Sequence, residues 1–356
     1  MIGYYVHHHG LGHRNRAVQI ARELTTGVVG FSSLERPADW PGEWVQLPPD
    51  DAGHPADPTA NGVLHWAPLH HPGHRERMGL LADRLRTDVE LMVTDTSAEV
   101  TLLARLMGVP TAVMAMRGDR TDRTHRAAYD AAPALVAPWS RETAEPYWPE
   151  EWTRKTTFTG AISRFDVPSR PPEPESGADQ GAGRSGPDRA ASSAGGAAEP
   201  ADGAAQRNSV LVVWGRGGTV VGEAEIEAAR AATPGWTWTV RTPDNPSPDL
   251  WRELQEAAVV VTHGGNNAVA ELSAVGARAV VVAQPRPHDE QLATAAALDR
   301  AGICVGLSEW PAAAEWPGLL ARAGELGGPR WSLWRHGDGA RRAARALEAV
   351  LSGGGA

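Results

Sequence analysis

Residues 257–298 read AAVVVTHGGNNAVAELSAVGARAVVVAQPRPHDEQLATAAAL, and this stretch decides the fold. Ala258 to Val261 is a short apolar run, too short for a helix and rich in β-branched residues. It predicts a parallel strand buried on both faces. His263-Gly264-Gly265 closes the run in a turn. Asn266 is a suitable N-cap, Val269, Leu272 and Ala274 recur at near-helical spacing, and Gly276 marks the stop. A second apolar strand, Ala279 to Ala283, leads through a Pro-rich loop to a helix from about Glu290.

A glycine turn that opens a helix at the carboxyl end of a parallel strand has a chemical use. Gly264 and Gly265 carry no side chains, so an anion can approach the backbone N–H groups of the helix start at Asn266 and Asn267. The helix dipole favours negative charge there, by roughly 0.3–1 kcal/mol when exposed. His263 can add a hydrogen bond or a positive charge. Glu271, one turn into the helix, can accept from ribose hydroxyls, and Glu290-Gln291 can hold sugar hydroxyls.

In this order (His-Gly-Gly, Glu, Pro, Glu-Gln), residues 262–298 resemble the donor-nucleotide signature of GT-B glycosyltransferases of the family 28 type. The resemblance implies that His263-Gly264-Gly265 and the following helix hold a donor diphosphate, Glu271 the ribose and Glu290-Gln291 the sugar. The family pair is Asp-Gln; here the acid is one carbon longer.

Composition sets the outer bounds. A chain of 356 residues is long enough for two domains. A net charge of −9 argues against a general nucleic-acid binder. The single cysteine, Cys304, excludes an internal disulfide and a cysteine zinc site, and its setting ICVGL reads as buried. No signal peptide and no apolar run of membrane-spanning length is expected. The expected location is the cytoplasm, with a peripheral contact at the inner face of the membrane left open.

The chain begins with a strand at Ile2 to Val6, and Val18, Ile20, Ala21 and Leu24 mark a helix. Strands are expected at Val28 to Phe31, Trp44 to Leu47, Val89 to Thr94, Thr111 to Met114 and Ala134 to Val136. Helices are expected at about Arg75 to Leu85, Ala98 to Met107 and Thr124 to Ala131. This alternation predicts an α/β domain over 1–167 with a mainly parallel sheet. Residues 48–62 read as an exposed loop. Residues 168–207 hold almost no large apolar side chain and read as a disordered linker or insertion. Order is expected to return at Ser209 in a second domain, 208–356. It holds a strand into Gly215-Arg216-Gly217-Gly218-Thr219, a helix at Gly222 to Ala232, a strand at Trp236 to Val240 and a helix near Leu250 to Glu256. An amphipathic helix at Gly339 to Leu351 ends it.

Gly10-Leu11-Gly12-His13 follows the first strand but fails as a dinucleotide fingerprint, because Asn15 stands where the third glycine belongs. It resembles the first-loop G-x-G-H of family 28, which implies a place in the cleft and His13 as a polar group at the reacting centre. Histidine serves as a general base near neutral pH without a large shift. Asp95 ends a strand and is a second base candidate, an acceptor ligand or a helix N-cap. Arg117, Asp119 and Arg120, in the polar loop MRGDRTDRTH, are expected on the acceptor side. The 215–219 turn resembles the family turn that closes over the diphosphate.

The histidines of the first half (His7, His8, His9, His13, His65, His70, His71, His74) lack a metal-binding pattern, and no metal is expected. His70, His71 and His74 with Arg75, Arg77, Arg84 and Arg86 read as a solvated basic face, with docking of an anionic lipid or phosphate as the sharper alternative.

Together the residues and the resemblance give an expected fold of two Rossmann-like domains with parallel sheets facing a central cleft. The expected activity is inverting transfer of N-acetylglucosamine or another hexose from a UDP-sugar to an acceptor hydroxyl, with no cofactor. The last helix is expected to cross back onto the first domain. The acceptor (lipid-linked saccharide, polyketide-like aglycone or cell-wall polymer) stays open, and no nucleic-acid partner is expected. Two rivals are a nucleotide-sugar epimerase of the same fold and a non-catalytic nucleotide-sugar binder.

Overall fold

The computed structural model describes residues 1–8, 11–51, 53–166, 208–215 and 220–353. The expected linker 168–207 and the turn residues Arg216, Gly217, Gly218 and Thr219 lie outside the described residues.

The first half contains β1 (Ile2–Tyr5), α1 (Leu11–Glu23), β2 (Val28–Ser32), β3 (Glu43–Gln46), α2 (Pro72–Thr87), β4 (Leu91–Asp95) and α3 (Ala98–Leu106). It continues through β5 (Thr111–Met114), α4 (Arg123–Ala131), β6 (Ala134–Ala137), α5 (Glu150–Arg154) and β7 (Thr156–Phe158). The second half contains β8 (Ser209–Val213), α6 (Glu223–Ala232), β9 (Thr237–Arg241), α7 (Leu250–Glu256), β10 (Val259–His263) and α8 (Asn266–Val275). There follow β11 (Ala279–Val282), α9 (Glu290–Arg300), β12 (Val305–Leu307), α10 (Trp316–Gly324) and α11 (Gly339–Leu351).

Two sheets result, both parallel. The first has the order β3-β2-β1-β4-β5-β6-β7 and the second β12-β11-β10-β8-β9. The central strands are buried along their whole length, as in β1, β4 and β11. That is why they read as continuous apolar runs rather than alternating ones. In each sheet the order reverses once, between β1 and β4 and between β10 and β8. At such a reversal the connections leave on opposite faces and open a crevice at the carboxyl ends of the strands. The two crevices receive residues 6–8, 12–13 and 95–97 from the first sheet, and 263–266 and 214–215 from the second.

α11 returns to the first half, as expected. Ala340, Ala343, Ala344 and Leu347 recur at helical spacing and join one core cluster with Ala17, Ile20, Ala21 and Leu91. Burying Leu347 alone contributes about 1.5–3 kcal/mol. Glu348 accepts from the backbone N–H groups of Thr25 and Thr26 at 2.6 and 3.2 Å. By packing, the first structural unit therefore includes the end of the chain, and the 208–356 span is one unit only up to this crossing.

Several local expectations needed correction. α8 begins at Asn266 with Gly265 as its N-cap, one residue earlier than expected, and Gly276 ends it in the left-handed region as expected. β7, β12, α5 and α10 were not foreseen. The segment 70–86 is a solvated basic face only in part: His70, Arg75 and Arg86 are exposed, but Arg77 turns inward. Arg77 is buried and ion-paired with Asp50, His74 faces the same carboxylate at 3.5 Å, and His71 caps α2 by accepting from the His74 N–H. The reason is Asp50, which is buried although it lies in the stretch read as exposed; a buried guanidinium needs such a partner. Cys304 is buried, as expected, and burial raises its thiol pKa.

Candidate active site

A cleft of about 700 Å³ lies between the two halves. The first half lines it with Gly12, His13, Asn15 and Arg16. The second contributes Trp214, Gly215, His263, Gly265, Asn266, Asn267, Glu271, Glu290 and Gln291. The start of α1 faces the start of α8: a Cβ on Gly12 would lie 3.6 Å from the Asn267 side chain. Two helix N-termini thus converge on one space, each presenting unpaired N–H groups and a positive dipole end.

The geometry around His13 assigns its proton. Nδ1 lies 2.9 Å from Asp95 Oδ1, and Arg16 Nη2 sits 2.6 and 2.8 Å from the two Asp95 oxygens. A carboxylate accepts only, so Nδ1 carries the proton and donates it. Nε2, on the far side of the ring, keeps its lone pair. Asp95 is fully buried behind His13. Burial works to raise its pKa, but Arg16 and His13 outweigh burial and hold it well below the usual carboxylate range. Asp95 is not the N-cap of α3; Ser97 takes that place. Arg16 carried no signal in sequence terms, since it lies 79 positions from its partner.

The His-Gly-Gly turn is built with similar economy. Burial and the nearby Arg286 lower the His263 pKa to about 4, so the ring is neutral near pH 7. Of the hydrogen bond and the positive charge open to His263, this favours the hydrogen bond. Nδ1 accepts from the Gly265 N–H at 3.0 Å, which leaves the ring proton on Nε2. Nε2 points toward Gly215, 3.1 Å from where a Cβ there would stand. The His263 ring therefore reaches from one turn at the second switch point to the other. Trp214 lies nearly parallel to the His263 ring, with centroids 6.4 Å apart.

Gly264 allows the turn after β10 to touch the start of α9, for a Cβ on it would stand 2.8 Å from the Gln291 carbonyl oxygen. Gly264→Val is expected to destabilise the fold by about 1–3 kcal/mol through overpacking. Gly235→Ala, where a Cβ meets nothing within 4 Å, should change stability little. Thermal unfolding of both variants checks the contrast.

Glu271 lines the cleft and is paired with Arg164 at 2.8 Å. Burial raises its pKa, and Arg164 opposes that effect. Glu290 also lines the cleft, 3.6 Å from Arg120 of the opposite half. Gln291 is buried, and its Oε1 accepts from the Gln284 N–H at 3.0 Å. The loop 116–122 differs from expectation. Arg117 is wholly buried, stacked between Trp139 and Trp334 and bound to Glu145 and the Thr143 carbonyl. It does not reach the cleft, because its planar guanidinium is satisfied by aromatic faces, a carboxylate and a carbonyl within the fold. Arg120 binds the Arg117 carbonyl, and Asp119 closes a turn with Thr121. None of the three lines the cleft.

Comparison with known proteins places this geometry. Residues 247–315 match the glycosyltransferase family 28 C-terminal domain. Across the whole chain the fold is similar to the glycotransferase of kitacinnamycin, with a TM-score of 0.58 at 16% identity over 98% of both chains. It is also similar to Acinetobacter baumannii MurG (TM-score 0.57, 14% identity, 99% of this chain and 98% of that one). A third likeness is to the spinosyn rhamnosyltransferase SpnG (TM-score 0.54, 14% identity, 99% and 96%). Sequence comparison with curated proteins gives no match. At these identities the structural likeness is one of fold, and the fold is GT-B. The second half thus carries a match to the family 28 C-terminal domain within a GT-B fold. No helix among the described residues is long and apolar enough to cross a membrane.

Proposed function

We propose that the protein transfers a hexose from a UDP-sugar to an acceptor hydroxyl in one displacement, with inversion at the anomeric carbon. The observation that carries this reading is the His13–Asp95 pair at one switch point, set across a single cleft from the His263-Gly264-Gly265 turn at the other. His13 Nε2 takes the proton of the acceptor hydroxyl as its oxygen attacks the anomeric carbon. Asp95 holds the ring in the tautomer that makes Nε2 the base and balances the imidazolium that forms. Asp95, buried and acidic, does not take the proton itself.

The bond to the diphosphate breaks on the opposite face of the sugar. The charge that develops there meets the N–H groups at the start of α8 and the Nε2–H of His263, a neutral donor. Preorganised donors of this kind act without reorganising during the reaction, and each contributes about 2.7–4 kcal/mol in comparable sites. In this reading the diphosphate needs no divalent ion. Glu271 holds the ribose hydroxyls, exchanging its Arg164 contact for them, and Glu290 faces the sugar. SpnG has been solved with thymidine diphosphate, which supports a nucleoside diphosphate in a cleft of this fold. SpnG has also been solved with the spinosyn aglycone, so a hydrophobic aglycone stands beside a lipid-linked or cell-wall saccharide as acceptor class.

Thermal unfolding against UDP, dTDP, GDP and their sugars tests the donor assignment. A ligand at about 100 times its Kd stabilises the fold by about 2.7 kcal/mol. A selective response to UDP and one UDP-sugar is the expected result. A response to dTDP alone would move the donor to the thymidine series, and no response to any nucleotide would overturn the proposal.

A further inference from the structure

Beside the cleft, but not lining it, four groups converge from both halves of the molecule. Asp122 is the N-cap of α4 and His125 lies in its first turn. His65 comes from the loop before α2, held by Glu99, which accepts from the His65 and Trp66 N–H groups at 2.7 and 3.1 Å. His288 comes from the second half, in the turn 287–289 between β11 and α9. His288 and Asp289 both have left-handed backbones there, φ 59° and 53°, an unusual conformation for residues with side chains.

One ring nitrogen of each histidine and one Asp122 oxygen lie within 4.8 Å of one another. The Asp122 carboxylate is 2.5 Å from His125 Nδ1, 3.5 Å from His65 Nε2 and 3.6 Å from His288 Nδ1. Hydrogen bonding alone does not satisfy this arrangement. His65 Nε2 is buried and has no hydrogen-bond partner, though it faces Asp122. The rings of His65 and His288 each lie against that of His125, with centroids 4.4 and 4.7 Å away.

We propose that His65, Asp122, His125 and His288 bind a first-row transition-metal ion, zinc in the first instance, that ties the two halves of the molecule together. Three imidazoles and one carboxylate form a four-coordinate donor set suited to zinc rather than magnesium or calcium, which prefer oxygen. Zinc–ligand bonds of about 2.0–2.1 Å set tetrahedral ligands ~3.3 Å apart. The present spread of up to 4.8 Å closes to that value by a contraction of about 1.5 Å. His65, Asp122 and His288 are about one-third exposed, which gives an ion a way in. The nearest cation is Arg120, whose Nη1 lies 3.3 Å from His125 Nε2. Its other partners are the Arg117 carbonyl and Glu290, so it has anionic and carbonyl contacts to keep when the ion enters. The ion is structural in this proposal: none of its ligands lines the cleft. It is therefore independent of the transferase reading.

The test uses untagged full-length protein, freed of metal by a chelator and titrated with Zn²⁺ against a chromophoric competitor. One equivalent is expected to bind, and Co²⁺ in its place should show the visible bands of four-coordinate cobalt. His65→Gln and His288→Gln, both at partly exposed positions, should each weaken binding by about a hundredfold or more. His7→Gln with His8→Gln, in the separate histidine run near the start of the chain, should leave it unchanged. Absence of stoichiometric binding would overturn the proposal. So would wild-type binding in the His65 and His288 variants, or loss of binding in the His7/His8 variant.

Discussion

His13→Ala is expected to lower kcat by about 10²- to 10⁴-fold, the usual contribution of a positioned general base, while the Kd for UDP changes little. The reasoning is geometric. His13 stands on α1 in the first half, and the groups assigned to the nucleotide stand on the second, so removing the imidazole leaves the donor contacts in place. The loss should fall on kcat, because the proton is transferred only as the acceptor oxygen attacks. Calorimetric titration with UDP, alongside initial rates with an acceptor that supports turnover, separates the two effects. A variant that keeps its rate would remove His13 from the chemistry and return the choice of base to other groups in the cleft. A variant that loses UDP binding in equal measure would make His13 a donor ligand.

Asp95→Ala is expected to cost about 3–5 kcal/mol of stability, because it leaves the buried Arg16 guanidinium without its counter-charge. Arg16 binds both Asp95 oxygens, and both side chains are almost wholly withdrawn from solvent. Breaking such a pair costs far more than forming it contributes. Equilibrium urea unfolding of Asp95→Ala and of the double variant Asp95→Ala/Arg16→Met separates the two. Replacing both charges should recover much of the loss; a double variant no more stable than the single one would show that packing, not the orphaned charge, is responsible. The same pair makes stability depend on pH. The Asp95 pKa is depressed in the folded state, so its contribution is fully present above the unfolded-state value of about 3.9 and is lost as pH falls toward the folded-state value.

His263 and Arg117 show how chemistry read from residue type is revised by surroundings. A histidine before a glycine turn can be charged or neutral as far as the chain alone is concerned. Burial and the nearby Arg286 favour the neutral form, and so a hydrogen-bond donor rather than a cation. The loop MRGDRTDRTH is polar enough to suggest a ligand surface, yet its first arginine is spent between two tryptophans, one of them in the segment leading to α11. The bias in that reading was to count charges without asking whether the fold supplies partners for them. Arg77 failed for the same reason, since Asp50 comes from a stretch whose composition reads as exposed.

What the chain determined by itself is local. The apolar run Ala258 to Val261, the glycines after it, the helical spacing of Val269 and Leu272 and the stop at Gly276 specify backbone conformations over a few residues. Strand, turn and helix could therefore be placed to within a residue or two. The repeated alternation of such units predicts two parallel sheets, and the motif order points to the donor half of a family 28 transferase. Only the tertiary structure decided which loops meet. Strand order places the reversal between β1 and β4, and that reversal brings Asp95 to His13 across 82 positions of sequence. Docking of the two halves brings Gly12 to Asn267, Arg120 to Glu290 and His288 to Asp122. Contacts of this kind depend on where whole layers come to rest, and no period or spacing along the chain encodes that.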